Sequence, residues 1–176
     1  NIQLSSTVAI LDTISVFMNL GLPSHSWIHG AALEDCGIRV KWPNDVWLRT
    51  PTKLGKLSGV LVEGRTQGDD VQIVLGIGLN RAPLPELSES IGWDELFSES
   101  NEELIPVIHA SVASLLEAHD MIGDYDGRCV LSSIFTSMRM AFSEGVPQSY
   151  GLDDLGGLRT HEGIVRTTGE IEWIWT

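Results

Sequence analysis

Apolar residues near the start of the chain recur at helical spacing: Leu4, Val8, Leu11, Ile14 and Met18. With Ser5 and Ser6 near a start and Gly21 just beyond, this spacing predicts a helix over 4–20 with one buried face. "GLPSHSWIHG" reads as a loop, and "AALEDCG" as a short helical turn before strand-like "IRVKW". Two stronger strand signals follow, "KLSGVLVEG" and "VQIVLGIGLN", separated by "RTQGDD", whose Gly and Asp residues suit a hairpin turn. Residues 81–101 carry prolines and serines and read as a connection with one helical turn around "GWDELF". Helical spacing returns through Leu104, Ile108, Val112, Leu115 and His119, with Pro106 predicting a start at Ile105 or Pro106. A further helix is expected over 127–142. Beyond Gly145 the pieces "VPQSYGL", "GGLRTH", "GIVRT" and "IEWIWT" predict a small β-barrel appendage. The expected fold class is α/β (α+β): a mixed, mainly antiparallel sheet packed with helices, followed by that barrel.

The 176 residues suffice for one domain or one domain plus an appendage. A formal charge of −13 argues against an extended nucleic-acid or anionic-membrane surface, because both need clustered cations. The cations are nevertheless unevenly placed. Of the 11 lysines and arginines, Arg39, Lys41, Arg49, Lys53, Lys56 and Arg65 fall in one stretch. That stretch is either a local anion site in a negative field or an ordinary solvated hairpin. Cys36 and Cys129 are too few and too distant for a disulfide framework or a zinc site, and His25 and His29 lack an acidic partner at metal spacing. No apolar run reaches membrane-spanning length and no basic segment precedes a hydrophobic one, so the expectation is a soluble, cytoplasmic protein. The chain opens on Asn1 and enters an amphipathic segment at once, as a piece of a longer polypeptide would.

Along "VQIVLGIGLN", alternation turns Leu75, Ile77 and Leu79 one way and Gly76, Gly78 and Asn80 the other. Glycines weaken a strand, so a bare face fits either a closely approaching ligand or a closely packed helix. A hairpin centred between Gln67 and Gly68 would set Gly59 opposite Gly76. Lys56, at the entry of the preceding strand, is a flexible point charge suited to carboxylate and phosphate oxygens. Strict alternation puts Lys56 and Gly59 on opposite faces, so a shared ligand requires a strand end or a bulge there. In "KWPNDVWL" (41–48), Pro43 cannot donate to a ladder, which predicts a strand end and a loop wider than two residues. Lys41, Asn44 and Asp45 would stand at that rim. They offer a cation for phosphate, an amide, and a carboxylate able to hold phosphate-bridging Mg²⁺; an Asx-type turn beside a surface lysine is the plain alternative.

In this order and spacing, "KWPNDV", "KLSGVLVEG" and "IVLGIGLN" resemble the catalytic core of the biotin protein ligase family over residues 39–80. Residues 4–20 resemble the helix before the lysine-tryptophan motif. "SYGLDDLGGLRT" and terminal "GEI" resemble the family's small SH3-like C-terminal domain, which implies a core over 1–142 and an appendage over 143–176. The resemblance implies that ATP and biotin form biotinyl-5′-adenylate, releasing pyrophosphate, and that a lysine of a biotin carrier domain then attacks the acyl carbon. By motif match Lys56 and Asp45 are the catalytic candidates. Lys41, Trp42 and Asn44 fall at the ATP end, with Mg²⁺ at Asn44 and Asp45; Asn80 meets the nucleotide. Gly59, Leu61, Gly76 and Gly78 line the biotin site. The family's glycine- and arginine-rich loop, GRGRxGR, does not occur here, and Ile174 stands where the terminal motif carries arginine. Three readings stay open: a piece of a longer ligase, half of a split enzyme, or a non-catalytic ligand- or carrier-binding descendant. Lipoyl or octanoyl transfer is a more distant relative of the same motif. A sheet without its N-terminal strands would expose edges that favour a homodimer.

Overall fold

The computed structural model describes residues 2–18, 36–122, 141–142, 149–153, 157–160, 165–166 and 173–174. Its centre is a four-stranded antiparallel sheet in the order β1 (Ile38–Lys41), β2 (Asp45–Arg49), β3 (Leu54–Gln67), β4 (Asp70–Leu79). Helices α1 (Ile2–Phe17) and α2 (Asn101–Ile122) pack with it, and the connection from β4 to α2 contains a short 3-10 turn at Trp93–Glu95. This is the mixed α/β architecture expected from the alternation of strand and helix signals.

Alternation along the strands decides which face is covered. Ile38 and Val40 of β1, Val46 and Leu48 of β2, and Leu57 and Val60 of β3 are buried in one cluster. Val8, Ala9, Leu11 and Ile14 of α1 and Leu104 of α2 close it, and Ile91 and Trp93 fill its end. Trp93 is fully buried, edge-on to Phe17 at 5.3 Å and tilted against Phe97 at 4.3 Å. The opposite sheet face carries Arg39, Lys41, Asp45, Trp47, Lys56 and Gly59, which pair across the strands as Arg39↔Trp47, Lys41↔Asp45, Trp47↔Lys56 and Asp45↔Gly59.

Three expectations require correction. Helix α1 is not buried on one face only: every residue from Ser6 to Ser15 except Asp12 is buried. Its small hydroxyls allow this, because Ser6, Thr7 and Thr13 donate to the carbonyls of Ile2, Gln3 and Ala9 at 2.8, 3.0 and 2.9 Å. A buried hydroxyl so bonded carries little desolvation penalty. Helix α2 begins at Asn101 rather than at Pro106. The Ser100 N–H donates to Glu103 Oε2 at 2.8 Å, one half of a capping box that starts the helix ahead of the proline. Hydrogen bonds from the backbone and from the Ser100 side chain also hold the Glu102 carboxyl below its ordinary pKa. Finally, Ala141 and Phe142, expected at the end of a helix, form a strand (β5) against Trp173–Ile174 (β9). The rest of that expected helix lies outside the described residues, as do the loop 21–30, His25, His29 and Cys129.

Each β-like C-terminal piece contains a strand. Ser149–Leu152 (β6), Leu158–Thr160 (β7) and Val165–Arg166 (β8) form a three-stranded antiparallel sheet. Leu152 joins the main apolar cluster. Among the described residues no helix is long and apolar enough to cross a membrane.

Substitutions on α1 test its central placement. Ile14→Ala removes a fully buried side chain and is expected to destabilise by about 2–5 kcal/mol. Val16→Ala, at an exposed position of the same helix, is expected to stay within about 0.5 kcal/mol. Urea midpoints measured by circular dichroism check both.

Candidate functional site

The outward sheet face would be a plain charged surface but for one irregularity. The β2–β3 register shifts between Val46 and Trp47: Val46 pairs with Ser58, yet Trp47 pairs with Lys56. Leu57 is the extra residue of a bulge. Lys56 and Gly59, three apart, therefore share the outward face, while Leu57 and Val60 share the inward one. Lys56 Nζ reaches over the glycine to Asp45 Oδ1 at 2.6 Å. A Cβ built on Gly59 would stand 3.0 Å from Asp45 Oδ1 and 3.1 Å from Lys56 Nζ, so the missing side chain makes room for this ion pair.

The glycine floor continues onto β4 with a corrected register. Gly59 faces Gly78, not Gly76, and Leu61 faces Gly76. The turn is a two-residue loop, Gly68–Asp69, with Gly68 at φ +64, so the hairpin axis lies one residue further along than expected. A shift of two in the pairing sum leaves each residue on its expected face, and the floor survives. At Gly76 and Gly78 an added Cβ would meet nothing closer than 3.7 Å, so open space stands over both.

Above this floor lies a groove of about 530 Å³. Asn44, Asp45 and Lys56 form its polar end, Gly59, Gly76 and Gly78 its floor, and Leu61, Leu84 and Leu87 its apolar sides. Asn44 closes the three-residue loop Trp42–Asn44, which contains a cis Trp42–Pro43 peptide. Its side-chain amide donates to the Val60 carbonyl and its own carbonyl accepts from Val60 N at 3.2 Å. Asn80 also lines the groove; its Nδ2 donates to the Lys56 carbonyl at 2.9 Å and its N–H to the Leu57 carbonyl at 2.9 Å. Both asparagines thus have a side-chain amide and a backbone group committed to holding β3.

Lys41 and Trp42 fall outside the groove lining. Lys41 shares the outward face but lies over the Trp47 ring at 5.9 Å, and Trp42 is buried in the core cluster. The remaining sequence candidates, Asn44, Asp45, Lys56, Gly59, Leu61, Gly76, Gly78 and Asn80, all line one groove. Leu84 and Leu87 were not anticipated. They sit in the Pro/Ser-rich connection, where they are apolar residues in a stretch that composition marks only as loop. Among the described residues no group of three or more His, Cys, Asp or Glu side chains could hold a metal ion.

Residues 2–80 match the Biotin/lipoate A/B protein ligase family. Over these residues the chain is similar to biotin protein ligases. It is 48% identical over 61 residues to the bifunctional ligase/repressor BirA of Escherichia coli (strain K12), an alignment spanning 32% of this chain and 17% of that protein. It is 29% identical over 148 residues to the Homo sapiens biotin–protein ligase, spanning 73% of this chain and 19% of the human one. The matched region is thus less than a fifth of these relatives' length. Aquifex aeolicus biotin protein ligase shares the fold: its crystal structure aligns with TM-score 0.56 and 18% identity over 99% of this chain and 75% of that one. The same enzyme in complex with biotin and ATP aligns with TM-score 0.56 and 20% identity, covering 99% and 72%.

The glycines separate into two kinds, and their replacement distinguishes them. Gly76→Ala and Gly78→Ala are expected to change stability by less than about 1 kcal/mol, since a methyl has room there. Gly92→Ala would place Cβ 2.6 Å from Ala82 Cα and is expected to cost about 1–3 kcal/mol. Denaturant midpoints of the three variants decide.

Proposed function

We propose that this chain carries the adenylation centre of an ATP-dependent biotin protein ligase. The observation that carries the reading is a lysine and a carboxylate at the end of a side-chain-free floor, with apolar walls beyond. Biotin is a carboxylate on an apolar body, and that outline fits the groove. A biotin carboxylate oxygen attacks the α-phosphorus of ATP, the bond to the β-phosphate oxygen breaks, and pyrophosphate leaves. The amine of a lysine on a biotin carrier domain then attacks the acyl carbon, and AMP leaves as the amide forms and the amine loses its protons. Lys56 binds the carboxylate and offsets charge developing on the phosphate oxygens. The glycine floor lets biotin lie against backbone amides of Gly59, Leu61, Gly76 and Gly78.

Asn80 stands at the nucleotide end with Asn44, and Lys41, on the same outward face but outside the groove lining, would meet the triphosphate. Asp45 and Asn44 would hold a Mg²⁺ carried by the nucleotide, which would offset charge on its phosphates. A single carboxylate, Asp45, suits an ion that keeps several waters and takes the rest of its ligands from phosphate. No all-protein cage is needed, in keeping with the donor set present among the described residues. The same reading includes a cytoplasmic setting, an SH3-like barrel over 143–176, and homodimer formation. In the described sheet β4 is an edge strand, with Val71 and Val74 exposed, which supports self-pairing.

Isothermal titration with a non-hydrolysable biotinyl-adenylate analogue tests the reading. The chain is expected to bind the analogue, and Lys56→Ala to weaken binding by about 10–100-fold while the melting midpoint is kept. Gly78→Ala is expected to weaken binding by at least about tenfold by raising the floor. An unaffected Lys56→Ala variant would overturn the role of this lysine. No heat with the analogue would overturn the ligase reading and favour a binding module for another ligand.

A further inference from the structure

Lys56 lies where the sheet runs out. β4 ends at Leu79, opposite Ser58, so no strand lies beside Lys56 on that side. In the pairing with Trp47, its N–H and C=O are not taken up by β2 but point toward this gap. A backbone pair left unsatisfied there would cost about 1–3 kcal/mol per group and let the residue move. Three groups from outside the strand fill the gap. Lys56 N donates to the Glu89 carbonyl at 2.7 Å, its carbonyl accepts from Ile91 N at 3.0 Å, and Asn80 Nδ2 adds a bond at 2.9 Å. Ser90 thereby forms a parallel bridge with Lys56.

The segment that supplies two of these bonds is tied by two backbone bonds, Leu87 N–H to the Leu84 carbonyl and Ser90 N–H to the Leu87 carbonyl, both at 3.0 Å, and by one side chain. Ser90 is 1% exposed. Its hydroxyl accepts from Leu84 N at 2.7 Å and faces the carbonyls of Leu84 and Leu87 at 3.1 and 2.9 Å, folding 84–90 into a closed loop. Two glycines admit that loop. A Cβ on Gly55 would meet Ser90 C at 2.8 Å and Ile91 N at 2.9 Å, and Gly92 lies against Ala82. Leu84 and Leu87, carried by the loop, are groove walls.

We infer that Ser90 is a positioning residue for Lys56: its buried hydroxyl closes the 84–90 loop so that Glu89 and Ile91 clamp the lysine backbone and hold Nζ over the glycine floor. The clamp stands on these contacts alone; only the use of the placed lysine rests on the ligase reading. Ser90→Ala therefore acts through Lys56 and not through direct contact with a ligand.

Amine acetylation followed by peptide mass spectrometry, together with amide hydrogen exchange, tests the clamp on the full chain without any ligand. In Ser90→Ala, acetylation of Lys56 relative to Lys41 is expected to rise at least about threefold, and exchange at the Lys56 and Ile91 amides about tenfold. Gly55→Ala, which leaves the hydroxyl but pushes on the segment, is expected to do the same and serves if Ser90→Ala does not fold. Unchanged labelling and exchange in a folded variant would overturn the inference. A double-mutant cycle on analogue binding gives the second arm: Ser90→Ala is expected to weaken binding about three- to tenfold beside Lys56, and to add nothing in a Lys56→Ala background. Additive losses would assign Ser90 a general structural role and overturn the inference. Absence of analogue binding in the wild-type chain would count against the ligase reading alone, with labelling still deciding the clamp.

Discussion

One extra residue in one strand sets the chemistry of this face. Without the bulge at Leu57, either Lys56 or Gly59 would turn into the core. A buried lysine there would face Val46, Leu48 and α1 without a charge partner, at a cost no ordinary strand can meet. With the bulge, the inward positions Leu57 and Val60 stay apolar and the outward positions gather a cation, a carboxylate and a bare floor. Packing and site geometry are thus solved by the same local step. The loop 84–92 follows from it, because a bulged strand that outlasts its neighbour leaves backbone groups that something else must satisfy.

The same constraint explains why the glycines differ. Gly59 makes room for the ion pair above it, and Gly55 for the loop beside it. Gly76 and Gly78 have open space above them. Open space over the β4 pair leaves room for a ligand-facing ledge, whereas over Gly59 the approaching group is the chain's own Lys56. A glycine in a strand reports close approach; which partner approaches is decided by tertiary structure.

Much of the fold was legible. Period-two alternation marked β3 and β4, helical spacing marked α1 and α2, and Gly-Asp marked the hairpin turn. Where the structure departs from the apparent pattern, one local signal is overridden by another. Apolar spacing alone marks one face of α1, yet its Ser and Thr hydroxyls bond within the helix and let the other positions be buried too. Pro106 does not start α2, because the Ser100–Glu103 half of a capping box upstream starts it at Asn101. The hairpin register slipped because the turn was centred on the Gln-Gly step instead of on Gly68–Asp69. The sequence leaves a strand end or a bulge open at Lys56, and the β2–β3 register settles it as a bulge at Leu57. Ser90 was not legible, since a serine in a serine-rich connection carries no local sign that it will be buried beside a lysine.

The ion pair between Lys56 and Asp45 is also a question of competition. Both side chains retain solvent exposure, 37% for Lys56 and 20% for Asp45, so the pair behaves more like a surface bridge than a buried one. Such bridges are worth about 0.2–1 kcal/mol. A ligand carboxylate or phosphate offers hydrogen bonds to a charged group worth about 1.5–3 kcal/mol. The balance favours exchange, provided that the lysine does not have to be ordered anew when the ligand arrives. A chain of charge −13 gains from this arrangement, because Asp45 keeps its one groove-lining lysine compensated and in place until an anion with better geometry displaces it. Displacement would leave the Asp45 carboxylate beside the bound anion, so its like charge sets how much of the exchange gain is kept.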